Sequence, residues 1–165
     1  MSPQHQHNTI YQYNLSRHEN CRLTYIYHIF LHRPFYQASA EVESLGYPGA
    51  GDVTIFNALS MSALGIGNHG FDGGANQYCT MVASQAMPSL TVNLDFDELV
   101  CSPALTISPD AQECSSVAGT VAKSCFVTLE DGSKVGLIGR APAEFFNVVE
   151  DPTETLPGLD FVGGR

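Results

Sequence analysis

The sequence predicts an α/β fold, and three observations carry that reading. Val53, Phe56, Leu59 and Ala63 recur at helical spacing and run into the short apolar stretch Ala63-Leu64-Gly65-Ile66. Leu90 to Phe96 alternates apolar and polar residues, the pattern of a half-buried strand. Ser124 to Leu129 and Lys134 to Gly139 are β-rich runs around Glu130-Asp131-Gly132-Ser133, and Asp-Gly between two such runs is the strongest short-range hairpin signal. A chain of 165 residues is long enough for one modest domain with its own core.

Taken in order, residues 1 to 20 are polar, lack periodicity and read as disordered. Leu23 to Leu31 is rich in aromatic and β-branched residues, is too short to span a bilayer and reads most simply as a strand. An alternative makes Arg17 and Arg22 a basic n-region, this run an h-region and Ala38-Ser39-Ala40 a cleavage site. His5 with His7, and His28 with His32, have spacings that share a face on a strand and a helix, but no carboxylate or cysteine completes a metal pattern. Gly46 to Gly51 is a turn, and Asp52 is the expected N-cap of a helix reaching Leu64, with Gly65 helping to end it. Ala63 to Ile66 follows as a buried strand. A second helix is expected from about Ala75 to Gln85, stopping before Pro88. The polar connection from Asp97 to Gly119 is long for a loop in a compact domain. Beyond the hairpin, Ala141 to Arg165 is broken by Pro and Gly and reads as a tail without a closing element. No internal repeat and no membrane-spanning helix is visible.

Seventeen acidic residues against seven Lys plus Arg give a net charge of −10, which argues against nucleic acid as a partner. The charge is uneven. Residues 1 to 33 hold three Arg, one Glu and five of the six His, whereas 34 to 165 hold four basic and sixteen acidic residues. That contrast places a boundary near residue 33, with 1–33 as an unmatched N-terminal segment and 34–165 as the folded domain. The five cysteines, at 21, 79, 101, 114 and 125, form no zinc-ligand pattern; free thiols are the simplest reading, with a Cys101–Cys114 disulfide as the alternative in an oxidising compartment.

Gly67-Asn68-His69-Gly70-Phe71-Asp72-Gly73-Gly74 is the stretch richest in chemistry. It places an amide and an imidazole side by side on a glycine-flanked loop after an expected strand, where open α/β sheets bind their ligands. The bland reading of the same residues is a turn, since Asn and Gly both tolerate positive φ.

Ala38-Ser-Ala-Glu-Val-Glu-Ser-Leu-Gly, Pro48-Gly-Ala-Gly-Asp-Val, Asn57-Ala-Leu and Ala63-Leu-Gly-Ile-Gly-Asn-His-Gly-Phe-Asp72 together resemble calcineurin-like metallophosphoesterases of the 5'-nucleotidase family. Val92-Asn-Leu-Asp-Phe96 and Lys134-Val-Gly-Leu-Ile-Gly139 follow in the order that family expects, so the resemblance covers about residues 35 to 165. It implies a partial α/β/β/α sandwich and a two-metal phosphoester hydrolase. In such a site Asn68 is a ligand of a divalent metal (Mn, Zn, Ca or Mg) and His69 contacts the phosphate of a phosphomonoester or nucleotide substrate. Two cations would clamp phosphoryl oxygens and lower the pKa of bound water; an amide oxygen ligates without adding charge, and an imidazole donates to developing negative charge. Relatives are typically exported, whereas this N-terminus makes a poor signal peptide.

The chain also departs from the family. Gly70 stands where the family has Glu after the histidine. The expected Asp-x-His, the single later His and the Gly-His-x-His are not recognisable, and no histidine follows His69. Gly51-Asp52 matches the family's Gly-Asp in composition but precedes a helix, so N-capping explains it better. The leading expectation is therefore a fragment that carries one metal-site motif, is inactive alone, and exposes strand edges and apolar faces. A non-catalytic acidic α/β module that binds a partner or a cation weakly through Asn68, Asp72 and nearby carboxylates is the second reading. A hydrolase whose site is completed by another chain is the third.

Overall fold

A computed structural model describes residues 49–162, apart from 144, 150–153 and 155, and apart from the side chains of 69 and 148. The readings placed on residues 1–48, including the boundary near 33, the two histidine pairs and Cys21, lie outside the described residues.

The first helix, α1, spans Ala50–Ala58, shorter than the expected 52–64, and its N-cap is Gly49 rather than Asp52. Asp52 sits within the first turn and makes no capping bond. The early stop has a local cause. Ser60 turns left-handed at φ 51°, its N–H reaches Asn57 O at 3.1 Å, and Met61 N–H reaches back to Phe56 O at 3.4 Å. These are the two bonds of a Schellman motif, and the apolar contact that accompanies it is present, because Met61 packs on the cluster of Phe56, Leu64 and Met87.

The chain then enters β1 (Leu64–Gly65), a 3-10 turn (Asn68–Phe71) and α2 (Gly74–Ala83), and returns to β2 (Ser89–Leu90), which lies parallel to β1. β2 pairs in turn with β5 (Val121–Ala122), again parallel, and Ile107 bridges to Val121 on the far side. The alternation expected to make one strand of 90–96 is interrupted. Thr91 Oγ1 accepts from the N–H groups of Asn93 at 3.4 Å and Leu94 at 3.3 Å, a hydroxyl-centred turn that ends the parallel ladder. The chain resumes as β3 (Leu94–Asp95), which pairs antiparallel with β8 (Asp160–Phe161). The tail therefore does contribute a closing strand, after the short helix α3 (Phe145–Val148).

The polar connection between 97 and 119, long for a loop, contains β4 (Gln112–Glu113) and a 3-10 turn (Cys114–Val117). β4 runs parallel to β6 (Ser124–Thr128), which forms the expected hairpin with β7 (Lys134–Ile138) in register Phe126↔Gly136. Gly132, at φ 82°, supplies the left-handed residue of its turn. Asp131 Oδ1 accepts from both the N–H and hydroxyl of Ser133, at 2.9 and 2.6 Å, and those bonds hold its carboxyl below the ordinary range.

Side-chain alternation on the parallel sheet defines the layers. Val121 faces Tyr78, Cys79 and Val82 of α2 in one buried cluster, while its neighbour Ala122 joins Leu90, Cys125 and Leu137 in another. The order is helix, parallel sheet, mixed sheet. Gly139 lies so close to β2 that a Cβ there would stand 2.0 Å from Leu90 O, and its own carbonyl accepts from Val92 N–H at 2.9 Å.

All four described cysteines are paired, which overturns both the free-thiol reading and the Cys101–Cys114 alternative. Cys79 on α2 bonds Cys101, and Cys114 bonds Cys125. The second pairing follows from register, since β4 against β6 puts Gln112 opposite Cys125, two residues from Cys114. The first follows because the loop after β3 folds back over α2.

Candidate functional site

The parallel sheet determines where Asn68 stands. Strand pairing extends past β1 through Ile66 N–H to Leu90 O at 3.3 Å, and Gly70 N–H then closes the 3-10 turn on Gly67 O at 3.3 Å. Asn68 opens that turn and is half-buried at the carboxyl end of β1. His69 follows in the same turn, its side chain outside the described structure. The far end of the turn is anchored from below. Phe71 is 1% exposed, stacks on Tyr78 at 4.0 Å between ring centroids and meets Phe145 edge-on at 5.3 Å.

The neighbouring strand brings a second amide to the same edge. Gly65 pairs with Leu90, so Asn93 stands as far beyond β2 as Asn68 stands beyond β1. Sequence reasoning missed this residue, although an Asn inside an otherwise alternating strand was the available signal. Asn93 is spent on the fold. Its Nδ2 donates to Ala141 O at 3.0 Å, and its Oδ1 accepts from Ala141 N–H at 2.8 Å and the Thr91 hydroxyl at 3.1 Å. Its carbonyl accepts from Val162 N–H at 3.0 Å, so it ties the segment after the hairpin and the tail to the rim of the sheet.

Gly70 is buried, and a Cβ added there would meet the Tyr78 ring at 3.5 Å, an ordinary contact. Packing at Cβ therefore does not by itself dictate glycine at this position. Tyr78 is itself buried without a well-formed hydrogen bond on its hydroxyl. Burial pushes the phenol above its usual range; Ser89 lies beside it and opposes that shift, but the Ser89 hydroxyl is committed to Gln85 Oε1 at 2.8 Å. One carboxylate oxygen of Asp52 is likewise buried and unpartnered, and burial raises its pKa.

A cavity of about 280 Å³ lies at the opposite, amino end of β1 and β2, lined by Asn57, Ser60, Met61, Glu113, Cys114 and Val127 among others. Its strongest polar groups are occupied. Asn57 bonds Ser84 O and Ala86 N–H, and both oxygens of Glu113 bond Thr128. It shares no residue with the Asn68 turn.

The two-metal centre implied by resemblance is not assembled by the donors in view. Among the described residues no three His, Cys, Asp or Glu side chains come together in a way that would hold a metal ion. The arrangement offers an amide oxygen on a rigid turn, followed by a histidine in sequence; it does not supply the several carboxylates and imidazoles that two hard cations require.

Among solved structures, the chain is similar to the 5'-nucleotidase precursor from Thermus thermophilus, with a TM-score of 0.50 and 20% identity over 67% of this chain and 18% of that one. It is also similar to the NAD nucleotidase of Haemophilus influenzae, with a TM-score of 0.45 and 18% identity over 68% of this chain and 19% of that one. The chain thus spans under a fifth of the length of either protein. No protein-family model and no curated protein matches it. No helix among the described residues is long and apolar enough to cross a membrane. At this identity the likeness shows fold alone, and the fold is α/β with a 5'-nucleotidase-like arrangement.

Proposed function

We propose that this chain supplies the Asn68-His69 corner of a nucleotidase-like phosphoester-hydrolase site and is not a hydrolase alone. The observation that carries the reading is the position of the Asn68 turn, at the carboxyl end of a parallel strand and pinned by Phe71 to the aromatic core. In that role the Asn68 amide oxygen contributes one neutral ligand to a divalent cation such as Mn²⁺, Zn²⁺, Ca²⁺ or Mg²⁺. His69 faces the phosphate of a phosphomonoester or nucleotide, and the remaining ligands come from outside the sequence given. The absence of any histidine after His69 supports this division. The test is hydrolysis of 4-nitrophenyl phosphate and of a nucleoside monophosphate by the purified chain with each cation in turn. The reading expects no turnover above the cation alone. Turnover that His69→Ala abolishes would show a complete site and overturn it.

A second reading, a non-catalytic acidic module, is favoured by the pairing of Asp95 directly opposite Asp160 between β3 and β8, with Asp97 and Glu98 adjacent in sequence. Under this reading the chain takes a cation weakly through Asn68, Asp72 and nearby carboxylates, so calorimetric titration with a divalent cation should show binding that Asn68→Ala weakens, and no heat would sink it.

A further inference from the structure

We propose that the Cys79–Cys101 disulfide is a redox-sensitive latch whose reduction loosens the turn that carries Asn68, while Cys114–Cys125 remains a permanent staple. The two bonds differ in access. Cys114 and Cys125 are both 2% exposed, whereas Cys79 is 1% exposed and Cys101 is only partly buried. A thiolate must reach one sulfur along the S–S axis, and Cys101 is the less buried partner of this bond.

The segment that this bond holds has few other attachments. Between Leu99, whose N–H bonds Phe96 O at 3.0 Å, and Thr106, whose carbonyl accepts from Val121 N–H at 2.9 Å, one described hydrogen bond ties it to the body of the fold. That bond runs from Ser102 N–H to Asn76 Oδ1 at 2.8 Å. Asn76 and Cys79 lie one turn apart on α2, so both anchors sit on the same face of one helix. Leu99, Cys101 and Leu105 cover the cluster that contains Phe71, Tyr78 and Phe145. Removing the covalent anchor leaves one hydrogen bond and the packing of Leu99 and Leu105 to hold this flap over the core that pins the Asn68 turn.

The chemistry balances with a dithiol as reductant. One thiolate of the dithiol attacks Cys101 Sγ, the S–S bond breaks, and Cys79 leaves as a thiolate that takes a proton. The second thiol of the reagent then resolves the mixed disulfide, releasing the Cys101 thiol and a cyclic, oxidised reagent. Two electrons and two protons pass from the dithiol to the protein.

The test treats the full chain with dithiothreitol under native conditions, traps free thiols with an alkylating agent at intervals for peptide mass spectrometry, and follows amide hydrogen exchange in parallel. Cys79 and Cys101 are expected to become alkylated while Cys114 and Cys125 are not. Exchange over residues 66–83 should then quicken about tenfold or more while 124–138 is unchanged. Cys101→Ser should reproduce the exchange pattern without reductant. Simultaneous reduction of both bonds, selective reduction without faster exchange in 66–83, or faster exchange throughout the chain would each overturn the proposal. Because the readout is thiol trapping and exchange, its failure is distinct from failure of the phosphatase reading.

Discussion

Asn93→Ala is the perturbation that probes the rim of the parallel sheet most sharply. The substitution removes a donor to Ala141 O at 3.0 Å and an acceptor for Ala141 N–H at 2.8 Å and for the Thr91 hydroxyl at 3.1 Å. Each such bond is worth on the order of 1 kcal/mol net. Ala141 is 1% exposed and Thr91 is 1% exposed, so the abandoned groups stay out of water and the loss lies at the upper end of the range. The expected destabilisation is about 3 kcal/mol. With a urea dependence of roughly 1.5 kcal/mol per molar, that lowers the unfolding midpoint by about 2 M. Equilibrium urea denaturation followed by circular dichroism measures it. Asn93→Asp is the informative companion: it keeps the acceptor for Ala141 N–H but sets a carboxylate oxygen against Ala141 O, so it should be at least as damaging. A loss below about 1 kcal/mol for Asn93→Ala would refute the reasoning that this amide clamps the sheet edge.

Three further outcomes are expected. Ser60→Gly relieves a left-handed residue at φ 51° while keeping both Schellman bonds, and should raise stability by about 0.5 kcal/mol in the same assay; a loss would mean that the Ser60 side chain stabilises the cap. Gly139→Ala forces a methyl to within 2.0 Å of Leu90 O, and should cost about 2 kcal/mol or more, read as a lowered melting temperature or loss of soluble protein. Asp52→Asn tests the half-buried carboxylate that has one buried, unpartnered oxygen. Because burial raises its folded-state pKa, the ionised form is penalised above that pKa and the penalty is gone below the unfolded value near 3.8. The substitution should therefore raise the melting temperature at pH 7, with the difference closing as pH falls towards 3.8; a difference that persists or grows in acid would contradict this.

The elements legible in the sequence were those whose signals are local. Asp131-Gly132 between two β-rich runs specifies its own turn, and the hairpin forms around it with Asp131 bonded to Ser133. Helix α2, Gly74–Ala83, likewise lies close to its expected span of about Ala75 to Gln85, short of Pro88. What the sequence hid depended on competition or on distance. A threonine hydroxyl that captures two backbone N–H groups breaks an otherwise strand-like alternation at Thr91, and a serine that accepts a left-handed conformation stops α1 six residues before Leu64. Disulfide partners depend on which segments fold together, which spacing does not encode: Cys101 pairs with Cys79, on a helix 22 residues earlier. At the candidate site, the strand before Gly67 and the turn at Asn68 were legible from the apolar run and the glycines. The matching position of Asn93 was not, because it follows from the parallel register of β1 and β2.

The central claim, that the Asn68 turn is a cation- and phosphate-facing corner, is tested most directly by calorimetric titration of the purified chain with Mn²⁺ in the presence of inorganic phosphate. A corner with one neutral amide ligand predicts weak binding, with a dissociation constant on the order of 1 mM, that Asn68→Ala removes while the melting temperature stays within a few degrees of the parent. Binding of equal strength in Asn68→Ala, or no binding heat in either protein, would contradict the claim.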